Sequence, residues 1–372
     1  MIQRPQFNLE VYIENTSLEI DDVVYSNFLV YETLHIGIYY GKLIFHNKSP
    51  IFKDYPFISG TQISVEVEVI DDDTYTFDFI LFTKNETKNF VTITLLPKIY
   101  MNGLGKDKIC AGYNDKIDSI VSTIASDVGI TDTDIENTSL PSRLFLQLNQ
   151  TNFSFIKSNL KYAKNNNSNY VFFIDKVNKL KFHSIARLKQ KNSVYSITSE
   201  YIDNLEIDDK ILQSQLEFGF GSKGYYFNWE DGSIVEHTID KGAIEGADKI
   251  ADLIGVNSNY INELNNIVML NPICDDLFPS EDYNIATMEN DVLRKNYFNI
   301  FLKFNTGGNM LASPAELAEI EFVSSKPNET NVFYSGKWVI YTAIHSFPIA
   351  GFFTYLEVAN SFLYGVNNPN FV

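Results

Sequence analysis

The stretch Ile63-Ser64-Val65-Glu66-Val67-Glu68-Val69 alternates apolar and polar side chains without a break. Period-2 alternation puts the four apolar residues on one face of a strand and Ser64, Glu66 and Glu68 on the other, the signature of a half-buried β-strand. Asp71-Asp72-Asp73 supplies a turn, and Tyr75-Thr76-Phe77-Asp78-Phe79 resumes the alternation. A polar loop around Asn85 then leads to Val91-Thr92-Ile93-Thr94-Leu95. The spacing predicts three consecutive antiparallel strands. One face is apolar; the other carries Glu66, Glu68, Asp78, Thr92 and Thr94.

Beyond Gly103 the period changes. Ile117, Ile120, Val121, Ile124 and Val128 fall on one face of a helix that Asp115 can cap and Gly129 can end in a left-handed conformation. A second helix is predicted from Thr151, burying Ile156, Leu160 and Ala163, and Tyr170–Ile174 with Leu180–Phe182 reads as a hairpin around Asp175–Asn178. Strands return from Val194 to Phe227. Two helical stretches follow, one on Ile244, Ala247, Ile250, Ala251 and Ile254, the other on Ile261, Leu264 and Val268. Residues Cys274 to Asn290 read as an acidic surface loop. Glu319–Phe322, Trp338–Ile344 and Phe352–Val358 then repeat the strand grammar of the first block. The fold class is α+β and β-rich.

The chain has 372 residues, 47 acidic against 29 basic, for a net charge of −18. Its only arginines are Arg4, Arg143, Arg187 and Arg294. A tight grip on nucleic acid needs a basic stripe to neutralise phosphates, and none is present. An acidic wall instead repels DNA, which suits a passage along which DNA slides without sticking. Cys110 and Cys274 stand 164 positions apart, supplying neither a disulfide framework nor a zinc site. The opening residues lack the apolar core of a signal peptide, and no run of 18 apolar residues occurs, so no membrane insertion is expected.

Motifs for chemistry are weak. Gly219-Phe220-Gly221-Ser222-Lys223-Gly224 matches a dinucleotide fingerprint by letters, but strand-like Tyr225-Tyr226-Phe227 follows where a helix is required, so it reads as a turn or bulge. Gly103-Leu104-Gly105-Lys106 lacks the spacing of a phosphate loop. His35, His46, His183, His237 and His345 are scattered, with none at metal-ligand spacing from another His or Cys. His35 and His345 read as packed or edge residues, and no nucleophile elbow appears. Trp229 and Trp338 lie in strand-like sequence and are expected to pack. No catalytic, cofactor-binding or metal residues are assigned.

Three regions together resemble the hub protein of T-even-like contractile phage baseplates and, more distantly, the hub portion of type VI secretion spikes. They are Gln3-Arg4-Pro5 with Asn8-Leu9 and a strand; the middle unit with Gly129, Asn149–Asn152 and Tyr170–Asp175; and Gly308-Asn309, Leu311 and Pro314 followed by the strands to Val358. Ala315 departs from the pattern, where glycine is expected after Pro314. The resemblance implies two similar tube-type β-barrel domains, residues 1–99 and residues 194–222 with 295–365. A small α+β domain at 100–193 and a helical or irregular insertion at 223–294 complete the chain.

It further implies a non-enzymatic homotrimer in the virion tail baseplate, assembled in the host cytoplasm. The ring adapts a threefold central spike to a sixfold tail tube or tube initiator, is surrounded by baseplate wedge proteins, and encloses a channel for DNA. Glu66, Glu68, Asp78, Glu319 and Glu321 are the candidate channel-lining residues, with no cofactor expected. The competing readings are a tail-associated cell-wall hydrolase, which needs two carboxylates at catalytic separation, and a glycan-binding tail protein.

Overall fold

The computed structural model describes residues 5–14, 16–18, 25–47, 57–70, 73–165, 168–210, 222–227, 232–239, 267–270, 283, 285–290, 298–323 and 334–360. The first block contains β1 (Phe7–Ile13), β2 (Thr16–Leu18), β3 (Tyr25–Thr33), β4 (Tyr40–His46), β5 (Gln62–Val69), β6 (Thr74–Glu86) and β7 (Phe90–Pro97). As the alternation predicts, β5, β6 and β7 are consecutive antiparallel neighbours. Val65, Val67, Phe77, Phe79, Val91, Ile93 and Leu95 are at most 1% exposed. Each such side chain contributes about 1.5–3 kcal/mol of burial. The loop expected around Asn85 is instead an arm of β6. After a bulge between Leu81 and Thr83, Asn85 pairs with Thr92 and Glu86 with Val91.

The middle unit holds β8 (Ile109–Asp115), α1 (Ile117–Asp127), β9 (Thr133–Ile135), β10 (Arg143–Gln150), α2 (Asn152–Asn159), β11 (Lys164–Asn165), β12 (Ser168–Ile174), β13 (Leu180–Ser184) and α3 (Ile185–Gln190). The cap of α1 is Lys116 rather than Asp115, whose carboxylate accepts from the Lys116 N–H at 2.7 Å. Gly129 is left-handed at φ +80, as expected. Thr151 caps α2 by accepting from the Ser154 N–H at 3.2 Å. That helix buries Phe153, Phe155 and Ile156, while Leu160 is only half-buried and Ala163 is buried just beyond it. Strand β12 is buried along its whole length, because Tyr170, Phe172 and Ile174 join the first core and Val171 packs on the opposite side. A strand covered on both faces reads as a continuous apolar run.

The last block holds β14 (Tyr195–Thr198), β15 (Asp203–Asp209), β16 (Ser222–Phe227), β17 (Ile234–Ile239), β18 (Ile267–Leu270), β19 (Ile300–Gly307), β20 (Leu317–Glu321), β21 (Gly336–Pro348) and β22 (Phe353–Asn360). Two expectations change here. Val268 lies in β18 and not in a helix, because the run Ile267–Leu270 pairs in parallel with β16. Short apolar runs fit either element by periodicity. Residues 285–290, expected in a surface loop, are helical, with Ala286, Met288 and Asn290 buried. The other predicted helical positions, Ile244 to Leu264, lie outside the described residues, as do Gly219–Gly221 and Trp229. Ser222–Gly224 open strand β16, so no helix N-terminus follows the glycines.

Among the described residues thirteen strands form one sheet, with a main path β15-β19-β22-β21-β3-β4-β7-β6-β5-β1-β2. Strand β14 pairs β20, which pairs β21. Strand β21 is the joint: it pairs β20 over Gly336–Val339 and β3 over Thr342–Pro348, with β22 along its other edge. The two halves of the path enclose separate cores. One is built on Phe28, Phe77, Phe79 and Ile93; the other on Phe304, Ile320, Trp338 and Leu356. Trp338 packs as expected and donates its indole N–H to the Tyr334 carbonyl at 2.9 Å. No helix among the described residues is long and apolar enough to cross a membrane.

The departure at Ala315 has a physical answer. The residue takes φ +62, the conformation glycine favours, while its methyl is buried with Val171, Leu188 and Val339. Left-handed backbone costs an L-residue about 1–2 kcal/mol. Ala315→Gly relieves that strain but loses the packed methyl and loosens the unfolded chain, so we expect its stability within about 1 kcal/mol of the native chain. Ala315→Val, β-branched at positive φ, should destabilise by roughly 2 kcal/mol or more. Urea midpoints at unchanged slope check both.

Candidate functional site

Three parts of the chain meet at one buried ionic junction. Strand β3 alternates Phe28, Val30 and Glu32 towards the interior, so Glu32 brings a carboxylate to a core position, 0% exposed. The turn of the β12–β13 hairpin supplies Lys176, 4% exposed, whose ammonium lies 2.9 Å from Glu32 Oε2 and whose backbone N–H donates to Oε1 at 3.0 Å. The segment before β20 adds the Ser313 hydroxyl, 3.1 Å from Oε1, and the Ala312 carbonyl, which accepts from Lys176 at 2.9 Å. From β21, His345 Nε2 sits 3.1 Å from Oε2, and its Nδ1 is 3.3 Å from the Thr354 hydroxyl. Beside this cluster Lys181 bridges Asp175 at 3.3 Å and Glu316 at 3.0 Å.

Burial alone would raise the Glu32 carboxyl, but the Lys176 charge and the His345 hydrogen bond outweigh it and hold the group at about 2. Burial, then the Lys176 charge, pushes His345 down. The imidazole is therefore neutral at pH 7, Nε2–H donates to Glu32, and Lys176 supplies the opposing charge. His183 is likewise buried, and burial together with Lys191 pushes it to about 3.

The five acids singled out in the sequence fall into two separate groups. Glu66, Glu68 and Asp78 share the outward face of β5 and β6. Asn8 donates to Glu68 at 2.8 Å, and Glu66 lies directly opposite Glu10 on β1. Glu319 and Glu321 stand on β20 in the other half, exposed, with Glu319 opposite Lys337. They help to line an open cleft of about 760 Å³ beside β14 and the end of β19. The structure does not bring the two groups together.

A second face does run across both halves. Along the register from β19 to β4, Asn305, Tyr355, Ile344, Tyr31 and Tyr40 are neighbours. The Tyr31 and Tyr40 rings stack at 4.7 Å, with the Lys42 ammonium 4.8 Å from the Tyr31 ring centre. In the adjoining row Glu206 pairs Lys303 at 3.2 Å, and Thr342 bonds both Glu357 at 2.9 Å and Thr33 at 3.1 Å. Sequence reading missed this face and the junction. An acid at Glu32, two positions after Val30 and four after Phe28, was the available signal for the latter.

No group of three or more His, Cys, Asp and Glu residues that could hold a metal ion occurs among the described residues. The strand order and the extended faces give a fold shared with solved tail proteins. The chain is similar to the 43 kDa tail protein of prophage MuSo2 from Shewanella oneidensis, with TM-score 0.64 and 9% identity over 95% of this chain and 98% of that one. It is also similar to a tail protein from Neisseria meningitidis MC58, with TM-score 0.61 and 9% identity over 96% and 98%. A chain of the half-lidded Francisella PdpA–VgrG complex matches at TM-score 0.52 and 10% identity, over 97% of this chain and 59% of that one. No protein-family model and no curated protein matches the sequence.

Removing one partner of a buried pair strands the other charge. Lys176→Met should destabilise the fold by about 3–5 kcal/mol, and Glu32→Gln/Lys176→Met should recover most of that loss. Denaturant titration of the single and double variants measures the difference.

The pH dependence has a fixed sign. His183 and His345 have folded pKa values below their ordinary 6.5, so the unfolded chain takes up protons first and stability falls as pH drops below 6.5. Glu32, ordinarily 4.5 and about 2 when folded, adds a second decline between those values. Unfolding midpoints should therefore fall on acidification from about pH 6.5 downward, and the double variant should lose the share of that decline that Glu32 contributes below 4.5.

Proposed function

We propose that the chain is the structural hub of a contractile tail, three copies forming a ring that joins a central spike to the tail tube and surrounds the DNA channel. The fold likeness to tail proteins supports a tail role. The observation that carries the ring is the joint at β21. Two strand-rich halves, each with its own core, share one uninterrupted sheet through the β21–β3 pairing. Three chains with two similar barrels each present six similar units, which reconciles a threefold partner with a sixfold one. The VgrG-containing neighbour is itself a protein complex, in keeping with a spike-side contact here.

Two faces compete for the channel wall. Glu66, Glu68 and Asp78, with Glu319 and Glu321 in the other half, are the wall expected from charge. The opposed Glu10 and Glu66 favour it, since like charges across a strand pair cost stability and build negative potential. The face shared through β21 and β3 has the stronger case. It is continuous over both halves, whereas Glu319 faces Lys337 while Glu66 faces Glu10, so the acids do not make matching walls. On this reading the five acids form an outer negative surface.

The native mass in solution, alone and with the spike partner, is expected to be three times the 42.5 kDa chain or to contain that unit. A monomer in both conditions contradicts the ring. Glu66→Gln/Glu68→Gln should fold normally and leave DNA delivery unchanged, whereas Lys42→Glu on the shared face should alter it. The reverse pattern restores the acidic wall.

A further inference from the structure

The cleft beside β14 has two open strand edges. Strand β14 pairs only β20, so among the described residues the backbone of Tyr195–Thr198 has no ladder partner on its other side. Across the cleft, β15 stops pairing β19 at Asn305, so among the described residues Thr306 and Gly307 have no ladder partner on that edge. The Tyr195 hydroxyl reaches Thr306 Oγ1 at 2.9 Å and spans the gap at one point. The sheet of the second half is therefore interrupted between β14 and the end of β19, and the interruption opens on a volume of about 760 Å³.

An unpaired edge offers backbone donors and acceptors at the repeat of an extended chain, the basis of recognition by strand addition. Charge selects the occupant. None of the residues lining the cleft is Lys, Arg or His, while Glu319 and Glu321 stand two apart on β20. Alternate residues of a strand share one face, and the same spacing separates alternate side chains of an extended peptide.

We propose that this cleft binds an extended segment of a partner protein carrying lysine or arginine at alternate positions, which adds as a strand to β14 or β19. The inference does not rest on the tail assignment. It would hold for a protein with any role, and the oligomeric state of the same sample reports on that assignment separately.

The test uses the purified full chain and a short synthetic peptide alternating lysine and threonine, blocked at both ends, read by fluorescence anisotropy and amide hydrogen exchange. Saturable binding is expected, with slowed exchange at Tyr195–Thr198 or Thr306–Gly307, and weakening by added salt. Glu319→Gln/Glu321→Gln should weaken it about three- to tenfold, as two exposed ion pairs imply, with an unchanged melting temperature. Three results overturn the proposal: no saturable binding, binding that slows exchange only elsewhere, or protection of these amides by a cell-wall oligosaccharide and not by the peptide.

Discussion

The contact between the Glu32 carboxylate and the Lys176 ammonium constrains the rest of the molecule. It is buried, so it tolerates no separation: the two charges must arrive together or the core carries an uncompensated ion. Glu32 comes from the first half, Lys176 from the middle unit, and Ser313, Ala312 and His345 from the second half. One carboxylate thus ties together three parts of the chain, two of which, the first half and the middle unit, also share one apolar core. Such an ion pair is a poor source of net stability compared with apolar packing of the same volume. Its value here is geometric, because only one relative placement satisfies all its partners.

That placement allows β21 and β3 to pair over Thr342–Pro348. Residues 342 and 345 take part in both arrangements: Thr342 begins the pairing and binds across to Thr33 and Glu357, while His345 turns inward to Glu32. The same strand therefore carries the buried junction on one side and the face shared by both halves on the other. A ring built from this chain would inherit its stiffness from that strand. The middle unit acts as a wedge, with β12 buried on both sides between the first core and the cluster around Leu188 and Val339.

Much of this was legible in the sequence. The alternation at 63–69, 75–79 and 91–95 gave strands whose faces and order are as expected, and Gly129, Thr151 and the Asp175–Asn178 turn marked real boundaries. Ala315 showed in advance where the backbone is unusual, because the position requires a left-handed residue whatever its side chain. Local periodicity failed where the deciding partner is distant. Val268 pairs with a strand 45 positions earlier, at Lys223, and residues 285–290 are helical where composition suggests a loop. The acids at 66, 68, 78, 319 and 321, expected to line a channel, stand on the polar faces of their strands, and alternation says which residues share a face and nothing of where that face points. Glu32 was hidden because a carboxylate on the apolar side of a strand is intelligible only once Lys176, 144 residues later, is seen beside it.

The most direct test of the hub account is single-particle imaging of the purified chain bound to its spike partner, at a resolution that traces strands. The account predicts a threefold ring with a central opening, a pseudo-sixfold outline from the two halves of each chain, and the β19–β22–β21–β3–β4 face turned towards the opening. A closed particle without an opening, or a ring in which the two halves of a chain occupy unrelated positions, would contradict it.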